Sequence, residues 1–185
     1  MKSGIRLVLM LVLLLTFLMI PSRTGSSITA GGTLNQLQLR ELIEHVLRDI
    51  DMYSESAVEL LMLTAAVESN LGEYIKQKGG GPALGIFQME PDTEDDIWFS
   101  YLYYRDAKQR IVEKYDSAGE FDLWANLGYQ IVLCRFHYYR VPEPLPAADD
   151  IRGLAFYWKR YYNTRKGKGT VKKAIAKYEK YVGVG

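Results

Sequence analysis

Residues 56–67 form an apolar run with almost no polar break, and Glu68 closes it. A helix that is apolar on nearly every side has no face to offer water. A helix over about 55–71 is therefore expected to be the buried centre of the fold, with Gly72 as its stop. Glu68 falls in the last turn of that helix. Desolvation against Leu63, Thr64 and Val67 disfavours its charged form, and so does the negative end of the helix dipole, worth about 0.3–1 kcal/mol. A carboxyl group tuned upward can donate a proton to a leaving oxygen. The plainer alternative is a surface glutamate that merely ends a helix.

The rest of the chain also reads as helical. Leu34, Leu37, Leu42, Val46 and Ile50 mostly recur at helical spacing. Thr93, with Asp96 as a near capping box, is expected to open a helix running to about Tyr115. Another is expected from Leu123 to Tyr139, ended by Pro142, Pro144 and Pro146. Asp149 or Asp150 caps a helix through Tyr162. Thr170 caps the last, with Val171, Ala174, Ile175 and Tyr178 on one face. Gly79-Gly80-Gly81-Pro82 must be loop, and the segment near 83–90 reads as extended or a small hairpin. The expected architecture is one all-α domain over 34–185 with one irregular, glycine-rich excursion.

Ahead of it stand a leader, 1–22, and a flexible Ser/Thr/Gly-rich linker, 23–33. Lys2 and Arg6 precede a fourteen-residue apolar segment, 7–20, interrupted only by Thr16, which Pro21 and Ser22 end. This pattern reads as a secretion signal. It is short for a membrane span, which needs roughly 17 residues or more. No Ala-x-Ala follows closely, so an uncleaved anchor stays open beside a cleaved signal. Either way the domain is expected outside the cytoplasm, in the periplasm or cell envelope or anchored to the inner membrane. The single cysteine, Cys134, leaves an exported chain without an internal disulfide, so its fold must rest on packing.

Two further elements bear on Glu68. Gln88 lies in Leu84-Gly85-Ile86-Phe87-Gln88-Met89-Glu90-Pro91, where an amide can both donate to and accept from a sugar. Tyr161-Tyr162-Asn163 precedes Gly167 and Gly169 and can orient a carboxyl group or a sugar. Each alone has an ordinary reading, as a loop residue and as a helix end.

Taken together, Glu68-Ser69, then Gly85-Ile86-Phe87-Gln88 with Pro91, then Tyr161-Tyr162-Asn163 resemble the soluble lytic transglycosylase family, which shares its fold with goose-type lysozyme. The resemblance runs from about Leu34 to the C-terminus. It departs from the family pattern at Phe87, where Met is usual, at Tyr161, where Ala is usual, and at Gly80-Gly81-Pro82. The resemblance implies that Glu68 is the acid, then the base, that breaks the bond between N-acetylmuramic acid and N-acetylglucosamine. It implies substrate contacts for Ser69, Phe87, Gln88, Tyr162 and Asn163, with Tyr162 hydrogen-bonded near Glu68. The implied product carries a 1,6-anhydro end made without water, and the implied partner is the peptidoglycan strand. No cofactor or metal is expected. A monomer is expected, with the inner membrane as a further partner through the leader.

Other charged residues carry two readings. Glu90, Asp92, Glu94, Asp95 and Asp96 are either favourable charges at a helix start or the source of a second catalytic carboxylate, which would make an inverting muramidase. Cys134 and His137 read as core. His45 reads as surface. From Lys159 to Lys180 stand nine Lys or Arg and one acid, Glu179, as a solvated face or a polyanion contact. With a net charge of +1 and an export leader, nucleic acid is not an expected partner. A wall-binding or virion structural protein that keeps the fold without turnover is the reading from another class.

Overall fold

A computed structural model describes residues 34–119, 122–164 and 167–183. The leader and the linker lie outside the described residues. The described chain is mainly helical, and no strand is present among the described residues. None of its helices is long and apolar enough to cross a membrane.

The first helix, α1 (Gln36–Asp49), starts where the Asn35 side chain accepts from the Gln38 N–H at 3.1 Å. α2 (Glu55–Ser69) starts in the same way on Ser54. As its composition dictates, α2 is buried nearly all round, and it packs against α1, α6, α7 and α8, whose ranges follow. Its two polar interruptions are satisfied. Glu59 takes both Arg40 guanidinium nitrogens, at 2.5 and 3.0 Å, and the Tyr178 hydroxyl at 2.6 Å. The Thr64 hydroxyl donates to the Leu60 carbonyl and meets the Tyr138 hydroxyl at 2.8 Å.

α2 stops two residues before the expected Gly72. Asn70 takes the left-handed conformation, with φ of 56°. The Leu71 N–H then bonds the Ala65 carbonyl at 3.0 Å and the Asn70 N–H the Ala66 carbonyl at 3.2 Å. The Asn70 bond is the αL closure of a helix end, with Asn in the place usually taken by Gly. Leu71 and Gly72 are left-handed as well, so the chain turns back sharply just beyond Glu68.

The glycine-rich excursion folds as a small paired unit. Leu84 bridges Lys76 on one side and Met89 on the other, and residues 85–88 make the turn. The expected hairpin is reduced to one bridge that closes a four-residue turn, with a second single bridge back to Lys76.

The expected helix from Thr93 to Tyr115 is in fact three pieces. α3 (Pro91–Asp95) begins at Pro91, with Glu90 as an N-cap that makes no side-chain bond, so the Thr93–Asp96 capping box does not form. A π-helical turn, Asp96–Leu102, follows. It buries Ile97 and Leu102, a spacing of five that α-helical winding would splay apart. α4 (Asp106–Glu113) restarts after a break at Arg105. The expected helix from Leu123 is likewise split into α5 (Asp122–Ala125) and α6 (Leu127–Tyr139). Asn126 divides them: its side chain accepts from the Tyr129 N–H and donates to the Tyr115 carbonyl at 2.8 Å.

α6 is a second helix with little exposed face, and it encloses Cys134 completely. Asp150 caps α7 (Ile151–Tyr161), and Thr170 caps α8 (Val171–Tyr181). Ala174 and Tyr178 are buried on α8, with Val171 and Ile175 packed beside them.

Candidate functional site

The C-terminal end of α2, the paired excursion, the start of α3 and the end of α7 surround one cleft of about 860 Å³. Glu68 lines it. Its Oε1 accepts a hydrogen bond from the indole Nε1–H of Trp158 at 2.9 Å, and its backbone carbonyl accepts from the Tyr74 hydroxyl at 2.6 Å. The second bond satisfies one of the carbonyls a helix end leaves open.

Burial pushes the Glu68 carboxyl up to about 7, while the Trp158 hydrogen bond and the charge of Lys177 pull the other way. The group is therefore held near its own half-protonation at neutral pH. An acid poised there can give a proton and take one back.

The remaining sequence candidates separate into two groups. Gln88, Tyr162 and Asn163 line the cleft with Glu68. Gln88 sits at a left-handed φ of 48°, and its Nε2 donates to the Gly85 carbonyl at 2.8 Å. Asn163 receives the Lys159 ammonium on its Oδ1 at 2.7 Å. The Tyr162 hydroxyl does not bond Glu68: it donates to the Phe87 carbonyl at 2.8 Å, which ties the excursion to the end of α7. The bond to the Glu68 carboxyl itself comes from Trp158, one helical turn earlier.

Ser69 and Phe87 do not face the cleft. Ser69 is 0% exposed, and its hydroxyl donates toward the Ile86 carbonyl at 2.6 Å and accepts from the Gly72 N–H at 2.8 Å. It staples the helix end to the excursion. Phe87 is 1% exposed and belongs to the core. It lies in the 85–88 turn beside Ile86, also 1% exposed, and both side chains pack inward while Gln88 lines the cleft.

Gly85 shows why glycine is needed in that segment. Its φ is +74°, and a Cβ there would stand 2.4 Å from the Gln130 amide oxygen and 2.5 Å from the Leu123 carbonyl. Gln130 holds the next residue, accepting from the Ile86 N–H at 2.8 Å. Gln88 is thus positioned by α6 through backbone contacts.

Two cleft residues carried no functional signal in the sequence. Trp158 is fully buried and has the spacing of a core residue, so only the partner of its indole N–H reveals its role. His137 also lines the cleft. Its Nε2–H donates to the Tyr161 carbonyl at 2.9 Å, and its ring meets Tyr162 edge-on with centroids 4.8 Å apart. Burial pushes its pKa down to about 4, so the ring is neutral.

Of the acidic cluster, Glu90 lines the cleft. Glu94 accepts from the Tyr129 hydroxyl at 2.6 Å, and Asp96 pairs with Arg140. His45 is exposed, as expected.

No family model, curated protein or solved structure matches the chain.

Proposed function

We propose that this chain is a lysozyme-like domain that cuts peptidoglycan glycan strands as a lytic transglycosylase, with Glu68 as its acid and base. The observation that carries the reading is a carboxyl group held near pKa 7, hydrogen-bonded by Trp158, at the wall of a cleft of about 860 Å³. Gln88, Tyr162 and Asn163, for which the family resemblance implies substrate contacts, line the same cleft.

In this reading protonated Glu68 gives its proton to the glycosidic oxygen. The bond from the muramoyl C1 to that oxygen breaks, and the N-acetylglucosamine end leaves as an alcohol. The 6-hydroxyl of the same muramoyl ring then bonds C1, and its proton returns to the Glu68 carboxylate. Proton and electron pairs balance, and no water is consumed. Gln88 and Asn163 hold sugar substituents, and Tyr162 fixes the wall behind them. The apolar leader, as a signal or an anchor, would bring the domain to the envelope where the substrate lies.

Glu90, the other carboxylate lining the cleft, supports a second reading. An inverting muramidase would use it to place a water opposite Glu68. Mass spectrometry of fragments released from peptidoglycan tests both. Anhydro ends support the transglycosylase, and reducing ends that vanish in Glu90→Gln support the muramidase. No release by the intact chain would overturn both and leave a wall-binding or virion structural role.

A further inference from the structure

Lys159 is bound more fully than any other ammonium in the described chain. Its Nζ donates to the Asn163 Oδ1 at 2.7 Å, the Thr164 carbonyl at 2.7 Å and the Gly167 carbonyl at 2.9 Å. An ammonium has three protons, and these bonds use all of them. They fasten the chain beyond α7 along the edge of the cleft.

Two glycines let that chain lie close. A Cβ at Gly167 would stand 2.2 Å from the Asn163 carbonyl oxygen, and one at Gly169 would stand 2.5 Å from the Trp158 ring. The backbone is therefore pressed against the same tryptophan that holds Glu68. Between the two glycines Lys168 is exposed and lines the cleft.

The charge around it is uneven. Lys78 also lines the cleft, but it pairs with Glu73 at 3.1 Å and lies over the Tyr74 ring. Lys168 has no ion pair among the described residues. A fixed segment thus presents one uncommitted cation to whatever occupies the cleft. A neutral sugar chain offers such a cation hydroxyl and amide oxygens but no opposite charge. A glycan with a carboxylate beside the reacting bond supplies one.

We infer that Lys168 is a specificity-determining residue, and that the cleft takes glycan strands carrying a carboxylate next to the bond that Glu68 faces. This rests on the glycan-cleaving reading above and narrows its substrate. The carboxylate has two possible sources, the lactyl ether of a peptide-free strand and the acidic residues of an attached peptide.

Binding separates these sources without needing turnover. The full chain carrying Glu68→Gln is titrated at low salt with three fluorescent glycans of equal length. One is a neutral N-acetylglucosamine oligomer, one a peptide-free strand with lactyl carboxylates, and one a peptide-bearing strand. The neutral oligomer should bind about three- to fivefold more weakly than at least one charged strand. Added salt should narrow that gap. Lys168→Ala should close it, and Lys168→Arg should keep it. If only the peptide-free strand gains, the lactyl carboxylate is the source, because an attached peptide consumes it as an amide; if only the peptide-bearing strand gains, the peptide is; if both gain alike, Lys168 takes either carboxylate. Equal binding of all three, binding of none, or an equal loss for neutral and charged strands in Lys168→Ala would overturn the inference. Cleavage without this charge preference would sink the inference alone, and preference without cleavage would sink only the catalytic reading.

Discussion

The indole N–H of Trp158 reaches the Glu68 carboxylate across ninety residues of sequence, at 2.9 Å. This bond favours the charged form of a group that burial holds neutral. Trp158→Phe keeps an aromatic ring in the core but removes the donor. The Glu68 pKa should then move up, and the alkaline limb of any pH–rate profile should move with it. Stability should fall by about 1–3 kcal/mol, since Trp158 is fully buried. Titration of Glu68 by carboxyl-labelled NMR is the direct check; an unmoved titration would remove Trp158 from the site.

Glu68→Gln should lower strand cleavage by about 10²–10⁴-fold, the usual contribution of a positioned acid or base. The wild-type rate should fall as pH rises through about 7, because the first step needs the protonated acid. Muropeptide release measured from pH 5 to 9 would show this. Unchanged release in Glu68→Gln would refute its role.

Stability should carry two opposed pH slopes. Glu68 rises from 4.5 to about 7 on folding, so between those values the folded chain keeps a proton that the unfolded chain releases. Its contribution is complete below pH 4.5 and declines as pH rises to 7. His137 falls from 6.5 to about 4, so the unfolded chain binds the extra proton there. Its contribution is complete above pH 6.5 and is lost as pH falls through 4. Glu68→Gln should therefore gain on the wild type as pH rises from 4.5 to 7, by at most about 3 kcal/mol. His137→Gln should lose ground to the wild type as pH rises from 4 to 6.5. Urea midpoints across this range would test both; variant curves parallel to the wild type would contradict the assignment.

Ser69→Ala should act on stability and leave substrate affinity alone. The serine hydroxyl is shared between the Ile86 carbonyl and the Gly72 N–H in a fully buried position. Leaving such groups unpaired costs about 1–3 kcal/mol. A raised KM at unchanged stability would return Ser69 to the substrate side.

Gly85→Ala should destabilise by more than about 1 kcal/mol, from its positive φ and the lack of room beside Gln130 and Leu123. Displacement of Gln88 should appear as weaker glycan binding. Denaturant unfolding and glycan titration together would report it.

Much of the framework could be read from the sequence. α2 was legible because an apolar run broken only by Glu59 and Thr64 favours a buried helix; its terminal carboxylate still admitted a surface position, and the structure sets it in the cleft wall. The caps at Asp150 and Thr170 were legible because cap chemistry is local. The interruptions were not. Nothing local in residues 93–115 announces a π turn: it follows from burying Ile97 and Leu102 against a core that the segment itself does not contain. Asn70 outranked Gly72 because the chain turns where Leu71 is buried, and the N–H groups of Asn70 and Leu71 close the helix there. At the site, Ser69 and Phe87 were placed by motif alone, and whether a residue at a helix end or in a tight turn faces the cleft or the core depends on packing partners distant in sequence. Trp158 looked like core and is core; its function resides in one polar atom.

Cys134 makes the interior of this domain accountable to a chemical clock. The chain's only thiol sits on α6 with no exposed surface, and burial pushes its pKa well up. A thiol that is neither accessible nor ionised reacts with an alkylating reagent only when the core around α2 and α6 opens. The rate of its modification in native buffer therefore counts those openings, with no introduced label and no second cysteine to confuse the signal.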